Sequence, residues 1–212
     1  GAIAKAGVPL LAPVGTSTVV LPMNEQKKWV FKTTQNDEII AEALVRDMVK
    51  RKIKTLGFIG TADPYGENWS RVISQLAAKN GITVVQKESF QRQDTSLTEQ
   101  ALKLISKKPQ AVLIAAPGSS AVPPQTALYD RGFRGQVYQT HGAALDQFLT
   151  MGGKKVENTI LAASLMLVLK EVSSQHPSKA IATKYMNDYK KLYGSYPATF
   201  GANVYDAGIL LE

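Results

Sequence analysis

The sequence predicts an α/β protein of two lobes built on mostly parallel sheets. Three observations carry that prediction. From Val8 onward, short β-branched or apolar runs alternate with stretches of helical periodicity, the order expected of βαβ units. Two strand-like runs near the start precede a series of complete strand and helix pairs. Two helical patterns in succession then close the chain, as expected when a chain leaves one lobe, builds another and returns.

Residues 1–7 read as the last turns of a helix closed by Gly7, since glycine accepts the left-handed conformation that ends helices. Strands are expected at 9–12 and 29–32. The helix at 37–52 sets Ile40, Leu44 and Met48 on one stripe beside Ala41, Val45 and Val49. Its acids come first and its bases last, matching the helix dipole, and Asn36-Asp37 supplies a start. A strand at 55–60 leads into a helix at 67–80, with Val72, Ile73, Leu76 and Ala77 inward and Asn80-Gly81 as the stop. A strand at 83–90, a helix at 97–107 and a strand at 111–116 follow. The helix at 120–131 carries Pro123 and Pro124 in its first turn, where missing N–H groups cost little. Strands at 136–139 and 159–164 precede the helices at 178–193 and 199–211. The chain is expected to cross between lobes at 33–36 and 163–168, giving a second lobe at 34–164 and a partial first lobe from 1–33 and 165–212. Leu210-Leu211-Glu212 still follows an apolar helical pattern, so both ends are expected to cut through elements.

At 212 residues and 44% hydrophobic content, the chain can bury one large core or two modest ones. Its longest apolar run, 159–169, is too short to span a bilayer. There is no Cys, which excludes disulfides, thiolate catalysis and Cys-ligated zinc, and His141 and His176 are the only histidines. The net charge of +8 raises the question of nucleic acid. Yet the cations are scattered: Lys50, Arg51, Lys52 and Lys54 end one helix, and Lys107, Lys108, Lys190 and Lys191 sit in similar places. No aromatic residues interleave them as a stacking platform requires, so nucleic-acid binding is not expected. Nor is there an activated nucleophile, a carboxylate pair, a phosphate loop or a dinucleotide fingerprint. The expected protein is not an enzyme and needs no cofactor or metal.

Several local patterns stand in one order. They are Ala6-Gly7-Val8-Pro9-Leu10-Leu11-Ala12-Pro13 with Thr16, then Val30-Phe31-Lys32-Thr33-Thr34 with Asp37, then Asp63-Pro64-Tyr65-Gly66-Glu67. Lys108-Pro109-Gln110-Ala111-Val112, Gly132-Phe133, Tyr193-Gly194-Ser195-Tyr196-Pro197 and Tyr205-Asp206-Ala207 continue the series. Together they resemble the type I periplasmic solute-binding proteins of the branched-chain amino acid ABC-transporter family, over essentially the whole chain. The resemblance implies three-layer parallel-sheet lobes, one complete and one partial, with further family elements before and after. It implies capture of a small ligand by hinge closure and delivery to an ABC-transporter membrane permease. It also implies a periplasmic or extracytoplasmic location, with a signal peptide upstream. A ligand-sensing domain of a receptor or cytoplasmic regulator with the same fold is the alternative.

The resemblance also places a ligand site. The loop Val14-Gly15-Thr16 would offer backbone groups and a hydroxyl to the ligand's polar head, since glycine allows close approach; alternatively it is a plain turn. Tyr65 would face the cleft at the start of the second lobe's helix, whose first N–H groups, near Gly66 and Glu67, would also point there; alternatively it caps the lobe as a turn residue. Amino-acid-binding members often carry an aromatic residue where this chain has Pro117-Gly118, and an acid where it has His141. Imidazole donates well to a carboxylate and compensates an ammonium poorly. Phe200 would complete an apolar wall or belong to the core. A pocket of Thr16, Tyr65, His141 and Phe200, with no acidic partner evident, suits an aromatic or hydrophobic carboxylate better than an α-amino acid. Trp29 and Trp69 read as packing residues, although Trp69 lies near Tyr65.

Overall fold

The computed structural model describes residues 2–211. The expected helical contributions of Gly1 and Glu212 lie outside the described residues. The chain divides into two compact units, Gly1–Thr34 with Ala163–Glu212, and Gln35–Ala162.

The first unit opens with helix α1 (Ala2–Ala6), closed by Gly7 at φ 63°. Strands β1 (Leu10–Ala12) and β2 (Val30–Lys32) pair in parallel, Leu10 opposite Val30. Each starts one residue later than expected from the sequence. Pro9 has no N–H to donate, and Trp29 lends only its carbonyl, which accepts from the Leu10 N–H at 2.8 Å.

The second unit is a three-layer sandwich. Helix α2 (Asp37–Lys50) stops short of residue 52 because Lys52 adopts φ 59°, and the Ile53 N–H returns to the Met48 carbonyl at 2.9 Å. Strand β3 (Thr55–Thr61) runs into helix α3 (Pro64–Lys79), which starts at Pro64 rather than residue 67. Asp63 caps it, accepting the N–H groups of Tyr65 and Gly66 at 3.0 Å each, and Pro64 fits the first turn because no partner is needed for its missing N–H. Strand β4 (Thr83–Phe90), helix α4 (Thr98–Ser106) and strand β5 (Ala111–Ala115) follow. The segment expected to be helical from 120 instead begins with a tight 3₁₀ turn, Gly118–Ala121, leading into helix α5 (Val122–Asp130) with its prolines at the start. Strand β6 (Gln136–Gln139) precedes helix α6 (Asp146–Gly152), an element the sequence pattern did not reveal, which buries Phe148. Strand β7 is only Ile160–Leu161, because the chain leaves the unit directly afterwards.

All five strands of this sheet are parallel, in the order β4-β3-β5-β6-β7. Alternation along the strands supplies both faces. Leu56, Phe58, Leu113 and Tyr138 pack with Met48, Trp69 and Ile73 on one side, and Ile59, Val112 and Ile114 with Leu104, Leu128 and Phe148 on the other. Each such fully buried side chain contributes roughly 1.5–3 kcal/mol through removal from water. Since β3 is followed by β4 on one side and by β5 on the other, the strand order reverses between β3 and β5. In open α/β sheets, ligands bind outside the carboxyl ends of the strands at such a reversal.

The chain then returns to the first unit. A 3₁₀ run, Leu165–Glu171, is broken at Val168. Helix α7 (Lys179–Tyr193) ends on Gly194 at φ 75°, and helix α8 (Thr199–Ile209) follows. Tyr185 of α7 and Tyr205 of α8 stack with ring centroids 4.5 Å apart, and the Thr33 hydroxyl ties the end of β2 to α8 by donating to the Asn203 carbonyl at 2.8 Å. Among the described residues, no helix is long and apolar enough to cross a membrane.

Candidate ligand-binding site

In the second unit, three predicted site residues meet at the carboxyl ends of the strands. Tyr65 lies in the first turn of α3, Pro117 follows β5, and His141 opens a 3₁₀ turn, His141–Ala143, just after β6. Gly66 is what lets α3 begin so close to β3: a Cβ there would fall 1.9 Å from the Thr61 carbonyl oxygen. Gly142 does the same between loops, since a Cβ would lie 2.8 Å from the Tyr65 hydroxyl, 3.0 Å from the Ala116 oxygen and 3.1 Å from the Pro117 Cα. The chain after β6 therefore rests directly on the chain after β5.

The Tyr65 hydroxyl is 2.8 Å from the hydroxyl of Thr140, a fully buried residue. Burial holds the phenol well above its ordinary value, and the nearby Asp37 carboxylate adds to that. Its ring, half-buried, meets the His141 imidazole edge-on with centroids 6.3 Å apart. Trp69 lies 6.1 Å from the same imidazole and is fully buried, so it backs the histidine from the core side. His141 itself is 9% exposed.

Two expectations need correction. The first N–H groups of α3 do not point outward for a ligand: Asp63 takes those of Tyr65 and Gly66, and its backbone carbonyl takes that of Glu67 at 3.0 Å. Burial alone would raise Asp63, but the Gly66 N–H, the Thr61 hydroxyl and the Arg92 guanidinium outweigh it and lower the carboxyl below its ordinary 3.8. Nor does His141 lack an acidic neighbour. Asp37, at the first position of α2, places Oδ1 4.0 Å from the His141 Nε2 while its Oδ2 accepts from the Asn68 amide at 2.7 Å. The sequence shows Asp37 only as part of a helix start, and a single N-terminal acid carries no mark of a long-range partner.

In the first unit, Val14, Gly15 and Thr16 occupy the turn after β1, with Val14 exposed. The Thr16 hydroxyl caps the short turn Ser17–Val19, accepting the Thr18 N–H at 3.4 Å and pairing with the Thr18 hydroxyl at 3.0 Å. The Lys32 ammonium, from the end of β2, donates to the Gly15 carbonyl at 3.0 Å. It places a cation at this loop that sequence reasoning passed over. Phe200 is half-buried in the first turn of α8, following Thr199, whose hydroxyl pairs with that of Ser164 at 2.7 Å. Among the described residues, no cluster of three acidic or histidine side chains is placed to hold a metal ion.

Comparison with known proteins follows the same lines. No curated protein matches the chain. An extracellular ligand-binding receptor from Rhodopseudomonas palustris HaA2 is 38% identical over 99% of this chain, with a TM-score of 0.94. A second extracellular ligand-binding receptor from that organism is 33% identical over 97% of the chain, with a TM-score of 0.90. A solute binding protein of an ABC transporter from R. palustris, solved in complex with benzoate, shares the fold at 16% identity over 99% of this chain, with a TM-score of 0.81. The chain spans 58%, 57% and 56% of the lengths of these three proteins. The family described as periplasmic binding protein matches residues 1–212 in full, and the chain belongs to that family, with the type I fold of its solute-binding members.

Proposed function

We propose that the chain is a large part of an extracytoplasmic solute-binding component of an ABC importer, which captures a small carboxylate by hinge closure and presents it to a membrane permease. The ligand is an aromatic or hydrophobic acid rather than an α-amino acid. No chemical step is involved: ligand stabilises the closed form through contacts that the open form lacks.

The observation that carries this reading is His141. It stands at the carboxyl end of β6, beside the strand-order reversal, against the half-buried ring of Tyr65. An imidazole there serves a carboxylate, and the aromatic ring serves an apolar body. The Asp37 carboxylate does not change this, because it is fully buried, with Asn68 on one oxygen and His141 beside the other, and so is withheld from a ligand's ammonium. In the first unit, the Gly15 loop with Lys32 beside it is the counterpart proposed for the polar head, with Val14, Thr16 and Phe200 around it. Pro117, at the place where amino-acid-binding members often carry an aromatic residue, leaves Tyr65 as the second unit's ring for the ligand.

The test is a thermal-shift screen of the full-length protein against amino acids and against aromatic and aliphatic carboxylates. Benzoate-like acids are expected to raise the melting temperature and leucine to leave it unchanged, with the shift lost in His141→Ala and kept in Trp29→Ala. Stabilisation by leucine alone overturns the ligand class.

A further inference from the structure

We propose that helix α8 is the hinge mount of the first unit, with Thr199 and Thr33 as its positioning residues: its first turns hold both segments that cross between the units and carry Phe200 as well. This deepens the proposed function and rests on its reading of capture by hinge closure.

The chain passes between the units twice, leaving the first after Thr34 and re-entering it at Ala163. Each crossing segment is tied to α8 by a hydroxyl. On the way out, the Thr33 hydroxyl donates to the Asn203 carbonyl at 2.8 Å. On the way back, the Ser164 hydroxyl pairs with that of Thr199 at 2.7 Å. Thr33 and Ser164 are each the second residue from the unit boundary, and both belong to the first unit, as does all of α8. The anchors also rest on the rest of that unit. β2 pairs with β1 up to Lys32 opposite Ala12, and the Lys179 ammonium at the start of α7 donates to the Leu169 carbonyl on the returning segment. Turning is therefore left to the chain beyond the anchors, at the boundary itself.

Thr199 and Asn203 are four residues apart on one helix, so the two attachments lie about 6 Å apart along it at 1.5 Å per residue. Two links held at a fixed separation leave one soft rotation, about the line that joins them. Two links that moved independently would also permit twisting and sliding. Phe200 follows Thr199 directly, in the same helical turn. A ligand against Phe200 thus acts on the helix from which both links start, and little of its binding free energy is lost to ordering a loose joint.

The test places spin labels on Lys87→Cys and Leu192→Cys in the full-length protein, one exposed position in each unit, and reads their separation by double electron–electron resonance. The 212 residues contain no cysteine of their own to compete for the label. Without ligand, Thr33→Val and Thr199→Val should each widen the distance distribution, and the two together should widen it further. Ser164→Ala, a smaller change that removes the same pair from its other side, should widen it as Thr199→Val does, so a misfolded Thr199→Val does not shelter the proposal. Thr199→Ser keeps the hydroxyl and should keep the original width. An unchanged width in folded Ser164→Ala or Thr33→Val overturns the proposal, even where the urea midpoint falls, because the bonds are then merely structural. A widened distribution in Thr199→Ser overturns it too. Failure of benzoate to shift the distance, with the variants behaving as expected, counts against the proposed ligand class and leaves the role of α8 in place.

Discussion

The Tyr65 hydroxyl and the Thr140 hydroxyl, 2.8 Å apart, join the first turn of α3 to the end of β6. Tyr65→Phe removes one partner and leaves the fully buried Thr140 hydroxyl without it, which costs about 1–3 kcal/mol. Urea denaturation should show a lower midpoint with an unchanged slope. Tyr65→Phe with Thr140→Val should recover part of the loss, because no polar group is then left unmatched. A double variant whose loss equals the sum of the two single losses would show that the pair does not act as a unit.

Gly142→Ala tests the contact between loops. The new methyl meets the Tyr65 hydroxyl at 2.8 Å, and that side chain can move, but it also meets the Ala116 oxygen and the Pro117 Cα, which are backbone. Overpacking of this kind costs about 1–3 kcal/mol. Ligand affinity should fall along with stability, since Tyr65, Pro117 and His141 are all displaced. Wild-type affinity in Gly142→Ala would show that these loops do not form the site.

Asp63→Ala should destabilise the second unit by about 0.5–2 kcal/mol, the range for loss of a helix N-cap. The Arg92 pair adds little, because Arg92 is half exposed. Asp63 has a folded-state value below 3.8, so its contribution is present above that pH and lost as pH falls through the lower, folded value. Acid denaturation compared between Asp63→Ala and the unaltered protein should therefore show the gap closing at low pH. A gap constant down to the most acidic folded sample would place the stabilisation elsewhere.

The alternation of strand and helix was legible because β3 and β5 are short, continuously buried runs while α2 and α3 carry an apolar stripe, patterns that tertiary packing does not override. Helix α6 was not, since its seven residues carry a single fully buried apolar side chain, Phe148, too little for a periodic signal. The start of α3 was misplaced because Pro64 and Gly66 look like a turn, whereas the Asp63 carboxylate makes them a first helical turn. In the site, Tyr65 and His141 were visible as residue types at strand ends. Asp37, Asn68 and Thr140 were not, because their roles depend on partners far along the chain, such as Asn68 for Asp37 and Tyr65 for Thr140.

The tyrosines offer a prediction at high pH. Burial raises the Tyr65 phenol above 10.0, and burial with the Asp47 carboxylate does the same for Tyr138, whose hydroxyl donates to Asp47 at 2.8 Å. Both phenols are neutral in the fold and resist losing a proton. Their folded-state values exceed 10.0, so the stability linked to them is complete below pH 10.0 and is lost as pH rises from there through the folded values. Absorbance titration should therefore show the phenols of Tyr65 and Tyr138 ionising only together with alkaline unfolding, seen in parallel by circular dichroism. Tyr65→Phe and Tyr138→Phe should each remove one of these late phenols. If these two phenols ionise near 10.0 while the protein remains folded, the hydroxyl ends of Tyr65 and Tyr138 are in contact with water, and the closed packing of Tyr65 against Thr140 and Gly142 is wrong.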